Sequence, residues 1–215
     1  MREILLFAQE QLTDKIQLGC GTGIPSLVLF QHALQNEMSV TFTLQDYNDS
    51  VLRLVTLPNL FLTWAAYSSQ PTLDLNADLT GDLEVNPELI ERFISDIQRN
   101  YISLRLLSGS WSSSLAELIP PSGPEMGTVI LAAETIYSPA STEAFVEITM
   151  DLIRRVKMSK AMVAAKRFYF GVGGSVDGLK EACRDKGAVA YEIENHGVPG
   201  MAGGVGRALV EIQMY

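Results

Sequence analysis

Residues 15–23 read Lys-Ile-Gln-Leu-Gly-Cys-Gly-Thr-Gly, and this stretch decides the fold class. Its first four residues are typical of a short buried strand, and glycine then takes every second position, at Gly19, Gly21 and Gly23. Glycine lets the backbone turn sharply and leaves no Cβ between the main chain and a ligand. Residues 24–35 carry apolar side chains at helical spacing, so the loop opens a helix whose first N–H groups are free. The pattern predicts a site for a nucleotide-like cofactor.

The spacing of these glycines favours S-adenosyl-L-methionine over a dinucleotide. The dinucleotide fingerprint G-x-G-x-x-G needs a third glycine where this chain has Ile24. That glycine permits close helix–strand packing around a pyrophosphate. Because S-adenosyl-L-methionine has no phosphate to cradle, the missing glycine does not count against it, and a nicotinamide oxidoreductase is the weakest alternative.

Length and composition predict one globular domain over residues 1–215. The chain is long enough for a single domain with a substantial core, and it is 47% hydrophobic and 19% charged. No apolar run approaches the length needed to span a bilayer, so we expect no membrane association. Residues 1–7 have a helical pattern rather than that of a signal peptide.

Cysteine and histidine are too sparse for a disulfide framework or a metal site. Cys20 and Cys183 are the only cysteines, which fits a reducing compartment, so we expect the protein in the cytoplasm and/or the nucleus. His32 and His196 are the only histidines, and neither lies in a ligand cluster. The sequence therefore predicts no metal.

The charge of the chain argues against general affinity for nucleic acids. The net charge is −9, although residues 151–215 carry 10 bases against 7 acids. Six of these bases fall between Arg154 and Arg167. A solvated helix end followed by a strand is the favoured interpretation, and a basic rim that receives a ribonucleoprotein substrate is the minority one. We expect no direct nucleic-acid binding.

The order of helical and strand patterns predicts a Rossmann-like α/β fold. Its sheet is expected to have seven mostly parallel strands, helices on both faces and an antiparallel C-terminal hairpin. Pro58 and Asn59 predict a break after the second helix, and residues 68–100 are interpreted as an insertion. The predicted strands are 15–18, 39–45, 102–107, 128–133, 161–165, 188–193 and 206–213; the predicted helices are 24–35, 49–57, 87–100, 141–156 and 176–186.

Polar and aromatic residues follow several of these strands, at the edge where an open parallel sheet binds ligands. Asp46 ends the strand after the glycine loop and its helix, a position from which a carboxylate accepts both ribose hydroxyl hydrogens; capping of the next helix is the alternative. Trp111 is expected against the adenine ring, with Ser110 at the ring edge, unless Trp111 is a core residue. Glu134 follows an apolar strand, where a carboxylate is costly to bury unless it faces the site, and Tyr137 shares that position.

Six short segments carry motifs: Leu-Gly-Cys-Gly-Thr-Gly (18–23), Gln-Asp-Tyr-Asn (45–48), Val-Thr-Leu-Pro-Asn (55–59), Ser-Gly-Ser-Trp (108–111), Glu-Thr-Ile-Tyr-Ser-Pro (134–139) and Tyr-Phe-Gly-Val-Gly-Gly (169–174). Together they resemble the eukaryotic protein-histidine methyltransferases, which modify a histidine of a large-subunit ribosomal protein. The resemblance runs from about Leu5 to Gln213 and implies a class I S-adenosylmethionine-dependent methyltransferase. The second and last motifs are its most specific parts.

The resemblance implies a role for each matching residue. The residues expected around the cofactor are Gly19, Cys20, Gly21, Gly23, Asp46, Tyr47, Asn48, Ser110, Trp111 and Glu134. The expected catalytic residues are Glu134 and Tyr137. The residues expected to face the target histidine are Lys166, Tyr169, Phe170, Gly171 and Gly173. From the residues alone, the segment 171–174 is either a tight turn or a smooth lip over which a peptide passes.

The chemistry implied by the resemblance asks little of the protein beyond alignment. A neutral imidazole is a competent nucleophile near pH 7, so the enzyme mainly holds nucleophile, methyl carbon and sulfur in line. Glu134 or Tyr137 is predicted to bond the non-reacting ring N–H; the alternative is that Glu134 bonds only the cofactor or nearby backbone.

Two other functions remain open at this stage, and the resemblance adds two expectations about the chain. Glu-x-x-Tyr resembles the acidic-x-x-Tyr motif of lysine-directed protein methyltransferases, and a catalytically silent cofactor-binding module is the other alternative. Family members begin earlier, with a Trp-Glu segment that covers the cofactor, so an N-terminally shortened domain is expected. We also expect a monomer with a ribosomal protein as substrate.

Overall fold

A computed structural model describes residues 13–68, 82–123, 126–194 and 204–215 of this chain. The predicted N-terminal helix, residues 69–81 of the predicted insertion and most of the loop before the last strand lie outside the described residues. Among the described helices, none is long and apolar enough to cross a bilayer.

The described strands form one sheet with the spatial order β3-β2-β1-β4-β5-β7-β6. Neighbours from β3 to β5 pair in parallel, and β7 pairs antiparallel with both β5 and β6. The strands are β1 (Thr13–Leu18), β2 (Val40–Asp46), β3 (Ile102–Ser108), β4 (Gly127–Ala133), β5 (Ser159–Lys166), β6 (Ala188–Ile193) and β7 (Arg207–Met214). The predicted fold class is confirmed, and each strand boundary lies within two residues of its prediction.

The helices cover both faces of the sheet. They are α1 (Ile24–Gln35), α2 (Asp49–Val51), α3 (Leu57–Tyr67), α4 (Pro87–Arg99), α5 (Ser113–Glu117), α6 (Pro139–Ile153) and α7 (Val176–Asp185). Ser and Asn residues at the N-caps of α4, α6 and α7 accept hydrogen bonds from the first-turn backbone, which explains where these helices begin. The short helix α5 was not predicted.

The predicted break at Pro58 and Asn59 is wrong. The chain stays helical from α2 to α3 because a π-helical turn, Leu52–Thr56, joins them, and the Leu57 N–H donates to the Leu52 carbonyl. Pro58 then lies in the first turn of α3, where a missing N–H is tolerated. The wider turn therefore lets the helix continue through a residue that normally ends one.

Alternate residues of the central strands feed two separate cores. On one face, Ile130 of β4 packs in a cluster with residues of α5, α6 and α7. On the other, Val129 and Leu131 pack with residues of α1, α3 and α4, including the fully buried Trp64. Burial on both faces explains why β4 is a continuous apolar run. The parallel pairing of β1 with β4 places the carboxyl ends of these two strands side by side.

Candidate active site

The candidate cavity lies where the chain leaves β1 and β4 in opposite directions. The strand order reverses between these two neighbours, so their carboxyl ends border a crevice, which is where open α/β sheets bind ligands. A cavity of about 520 Å³ occupies this place. Seven predicted site residues line it: Gly19, Asp46, Tyr47, Ser110, Trp111, Glu134 and Tyr137. A groove of about 620 Å³ lies at the opposite end of the sheet, away from the strands' carboxyl ends.

Gly19 is the residue of the glycine loop (residues 19–23) that lines the cavity, whereas the predicted cofactor residues Gly21 and Gly23 do not line it. Gly19 has φ +61°, and a Cβ there would lie 3.2 Å from the Thr135 Cγ2 and 3.4 Å from the Trp111 ring. Gly21 has φ +53°, and a Cβ there would meet nothing within 4 Å. Positive φ and close packing both require glycine at position 19. At position 21, the backbone stays open to an approaching ligand.

Asp46 lies directly beside this loop. Its Oδ2 accepts a hydrogen bond from the Gly21 N–H at 2.9 Å, and its Oδ1 accepts one from the Asn48 N–H at 3.2 Å. The next helix is capped by Asn48, whose side chain accepts from the Ser50 N–H, so the capping alternative for Asp46 is wrong. Each carboxylate oxygen has a second lone pair. The two amides therefore orient Asp46 and leave an acceptor on each oxygen.

Gln45, which was not a predicted site residue, joins three parts of the site. It is fully buried, and its Oε1 accepts from the Trp111 indole N–H at 2.7 Å and from the Gly19 N–H at 3.3 Å. Its Nε2 donates to the Gly109 carbonyl at 2.7 Å. Gln17 acts similarly below the loop, bonding the Cys20 carbonyl and the Ser26 N–H. In the sequence, the signal that could have indicated these roles is a glutamine inside each of two predicted strands.

Trp111 is at once a cavity residue and a packed one. Its N–H bonds Gln45, and its ring meets Phe145 edge-on, with 5.7 Å between centroids. The ring also borders the cavity, so its role against an adenine stays a prediction. Ser110 is exposed at the rim.

The Cys20 side chain points away from the cavity. It lies in the core on the α1 face, 3.6 Å from the Thr56 hydroxyl, and burial raises the pKa of its thiol to about 11. Thr56 in turn donates to the Gly21 carbonyl at 2.7 Å, and Asn59 donates to the Thr22 carbonyl at 2.9 Å. The motif at residues 55–59 thus fixes the glycine loop from behind. Cys20 therefore contributes its backbone to the glycine loop, while its side chain belongs to the core.

Glu134 stands in the turn that follows β4 (residues 134–138, the β4 turn). Its φ of +58° is uncommon for a residue with a side chain, and its N–H donates to the Ala164 carbonyl at 2.8 Å. Its Oε2 accepts from the Tyr169 hydroxyl at 3.0 Å and lies 3.7 Å from the Lys166 Nζ. Its Oε1 lies 3.9 Å from the Arg207 Nε. Arg207, on β7, was not among the predicted site residues.

Tyr169 is the buried residue of the loop that follows β5 (residues 167–175, the β5 loop), with 7% of its surface exposed. Burial, above all, raises the pKa of its phenol to about 12, so the hydroxyl keeps its proton and donates to Glu134. The neighbouring Phe170, Gly171 and Gly173 are exposed on the outer side and do not line the cavity. Their role toward a substrate stays a prediction.

The β5 loop packs directly on the β4 turn. The Gly174 N–H donates to the Tyr137 carbonyl at 3.1 Å, and a Cβ on Gly174 would collide with the Ile136 carbonyl oxygen. Together with the Tyr169–Glu134 bond, these contacts join the two segments into one structural unit. Tyr137 is half-exposed at the cavity mouth. Within the described residues, no group of three or more His, Cys, Asp or Glu is arranged to hold a metal ion.

The chain has clear relatives among the histidine protein methyltransferases. It is 38% identical over 169 residues to histidine protein methyltransferase 1 of Schizosaccharomyces pombe, a match that covers 78% of this chain and 48% of that protein. With the Saccharomyces cerevisiae protein of the same name, identity is 39% over 186 residues, covering 80% and 49%. A mouse homologue is 29% identical, covering 84% and 44%. The chain thus spans about half the length of the curated relatives it matches. No protein-family model matches it.

Solved structures support the fold alone. The CurJ carbon methyltransferase aligns with a TM-score of 0.51 at 12% identity, covering 94% of this chain and 48% of that chain. The DszA carbon methyltransferase aligns with a TM-score of 0.51 at 9% identity, covering 99% and 52%. The fold is that of the class I methyltransferases. In sequence, the chain is a homologue of the histidine protein methyltransferases, and the family resemblance of its motifs is confirmed.

Proposed function

We propose that this chain is an S-adenosyl-L-methionine-dependent methyltransferase domain that modifies a histidine side chain of a protein. The observation that carries the proposal is the bond between the Asp46 carboxylate and the Gly21 N–H, beside an open cavity that Asp46 and Glu134 both line. A carboxylate so placed suits a nucleoside sugar, and the yeast relatives direct the choice of reaction. For the substrate we propose a large-subunit ribosomal protein, met in the cytoplasm and/or the nucleus by a monomer.

The residues present fit this cofactor. A volume of about 520 Å³ is within the usual range for small-molecule sites. The acceptors left on Asp46 match the two ribose hydroxyls, the open backbone at Gly21 leaves room for the methionine part, and the Trp111 face borders the space for the base. When bound, the cofactor supplies an electrophilic methyl group on a sulfonium, whose sulfur leaves as a neutral thioether.

The chain itself must orient the histidine. One ring nitrogen forms the new bond to the methyl carbon, and the other carries a hydrogen that needs an acceptor. Glu134 supplies that acceptor in our proposal, since a carboxylate has about four acceptor positions and its described hydrogen bond is the one from Tyr169. The imidazolium formed by the transfer then loses this proton toward the carboxylate and water. Tyr137 at the same mouth is proposed to pack against the ring.

The test begins with cofactor binding, because a methyltransferase must bind its methyl donor. Calorimetry with S-adenosyl-L-methionine is expected to show one site, and Asp46→Asn should weaken it about tenfold or more, since hydrogen bonds to charged groups contribute about 1.5–3 kcal/mol. Asp49→Asn, an exposed acid three residues later, is the matched control and should bind normally. An unmodified chain that binds no cofactor would refute the proposal, and one that binds the cofactor but transfers no label in the next experiment would favour the silent cofactor-binding module.

The second step identifies the modified residue. The chain is incubated with labelled cofactor and purified large-subunit ribosomal proteins, and the label is located by mass spectrometry. Label on histidine is expected; label on lysine alone would establish the lysine-directed alternative instead. Glu134→Gln should lose turnover while cofactor affinity is kept, whereas loss of both would assign Glu134 to cofactor binding.

A further inference from the structure

We infer that Lys166 and Arg207 make this site selective for the neutral imidazole of histidine and against the charged ammonium of lysine. The inference deepens the proposed function and rests on it. Both cations flank the same carboxylate: the Lys166 Nζ is 3.7 Å from the Glu134 Oε2, and the Arg207 Nε is 3.9 Å from its Oε1. The three side chains are each between 41% and 49% exposed, so they also face the solution from which a substrate arrives.

The strand register makes this arrangement unusual. Lys166 of β5 and Arg207 of β7 are direct partners across an antiparallel pair. Like charges opposite each other in a sheet repel and are destabilising. Glu134 lies between them and offsets part of that repulsion, and Lys166 also sits over the Tyr169 ring at 5.4 Å from its centroid. Two cations are thus held together at the one point where the proposed catalytic carboxylate stands.

The consequence is a difference between substrates. The three side chains together carry one net positive charge, so Glu134 is already shared by two cations before any substrate binds. A lysine ammonium brought to Glu134 adds a third cation, and like charges a few ångströms apart near a protein surface repel each other. Lysine also has an ordinary pKa near 10.4 and must lose a proton before it attacks. A neutral imidazole arrives without a charge, and the positive charge that its ring gains on methylation replaces the one that the sulfonium loses.

Arg167, the cation next to Lys166 in sequence, pairs with a different carboxylate. The Arg167 guanidinium pairs with Glu192 at 2.6 Å, and the same carboxylate receives Lys180 at 2.7 Å. Arg167 follows Lys166 directly in sequence but makes no described pair with Glu134. It therefore offers a control with the same change of charge at nearly the same place.

The test compares two peptides and five proteins. The peptides share the sequence around the histidine labelled in the ribosomal-protein experiment and differ only in carrying histidine or lysine at that position. The proteins are the unmodified chain, Lys166→Gln, Arg207→Gln and the double variant, with Arg167→Gln as control. The readout is the ratio of kcat/KM for the histidine peptide to that for the lysine peptide.

We expect the double variant to lower this ratio at least tenfold, chiefly through faster methylation of the lysine peptide, with each single variant in between. Arg167→Gln should leave the ratio within twofold. Cofactor affinity and thermal unfolding of each variant establish that it is folded. A ratio unchanged in the folded double variant, or moved equally by Arg167→Gln, would overturn the inference while leaving histidine methylation intact. If the unmodified chain labels no histidine at all, the proposed function itself fails.

Discussion

Gln45 allows a test of how the site is held together that does not depend on the reaction. Leucine at this position keeps most of the side-chain volume but removes its amide. Three groups then lose their partner: the Trp111 indole N–H, the Gly19 N–H and the Gly109 carbonyl, bonded at 2.7, 3.3 and 2.7 Å. A buried polar group without a partner costs about 1–3 kcal/mol. Because these three groups are only half-buried, we take about 1 kcal/mol for each.

Gln45→Leu is therefore expected to lower the free energy of unfolding by about 3 kcal/mol, which for a chain of this size lowers Tm by roughly 6–12 °C. Urea titration followed by circular dichroism measures the first quantity, and a thermal scan the second. Gln98→Leu, on the exposed side of α4, is the control and should stay within about 0.5 kcal/mol of the parent. A Gln45→Leu protein as stable as that control would refute the idea that this amide fixes the site.

Three more substitutions probe separate features. Burial lowers the pKa of Lys15 from its ordinary 10.5 to about 8, so Lys15→Met should raise the free energy of unfolding at pH 7 by about 3 kcal/mol. The lowered pKa means that the unfolded chain binds more protons than the folded one between pH 8 and 10.5, so the parent becomes more stable as pH rises through that range. Denaturant titrations should therefore show that the difference in free energy of unfolding between Lys15→Met and the parent shrinks over the same range. Tyr169→Phe removes the hydroxyl bonded to Glu134, and it should cost about 1 kcal/mol of stability and lower methylation turnover at unchanged cofactor affinity by calorimetry. Gly174→Ala drives a methyl group into the β4 turn and should cost about 2–3 kcal/mol in urea titration, against about 1 kcal/mol for Gly171→Ala, where only the positive φ resists.

The strands of the sheet and the glycine loop could be predicted from the sequence because their signals are local. Apolar runs of four to eight residues indicated the strands, and alternating glycines indicated the loop at residues 19–23. The position of Asp46 followed from topology, since neighbouring parallel strands present their carboxyl ends at one edge. Its contact with Gly21 agrees with that reasoning.

The interactions that support the site were not predictable in the same way. Gln45 and Arg207 act through contacts with residues distant in sequence, 26 to 73 positions away. No local pattern reports such a contact. The prediction of a break at Pro58 failed for a different reason. Proline normally ends a helix, and the π-helical turn before Pro58 lets this one continue.

Glu134 shows most directly that this site is shaped by more than stability. A residue with a side chain held at φ +58° costs about 1–3 kcal/mol, and glycine at the same position would adopt that backbone freely. The surrounding structure enforces the conformation instead: the Ala164 carbonyl accepts the Glu134 N–H, and Gly174 packs its backbone against the same turn. The strained backbone directs a carboxylate to the rim of the cavity, where Tyr169 holds one oxygen and two cations stand within 4 Å. Glutamate at this position is thus disfavoured by the backbone, and its carboxylate nevertheless borders the cavity. Both features are understood if the carboxylate is there to meet a ligand.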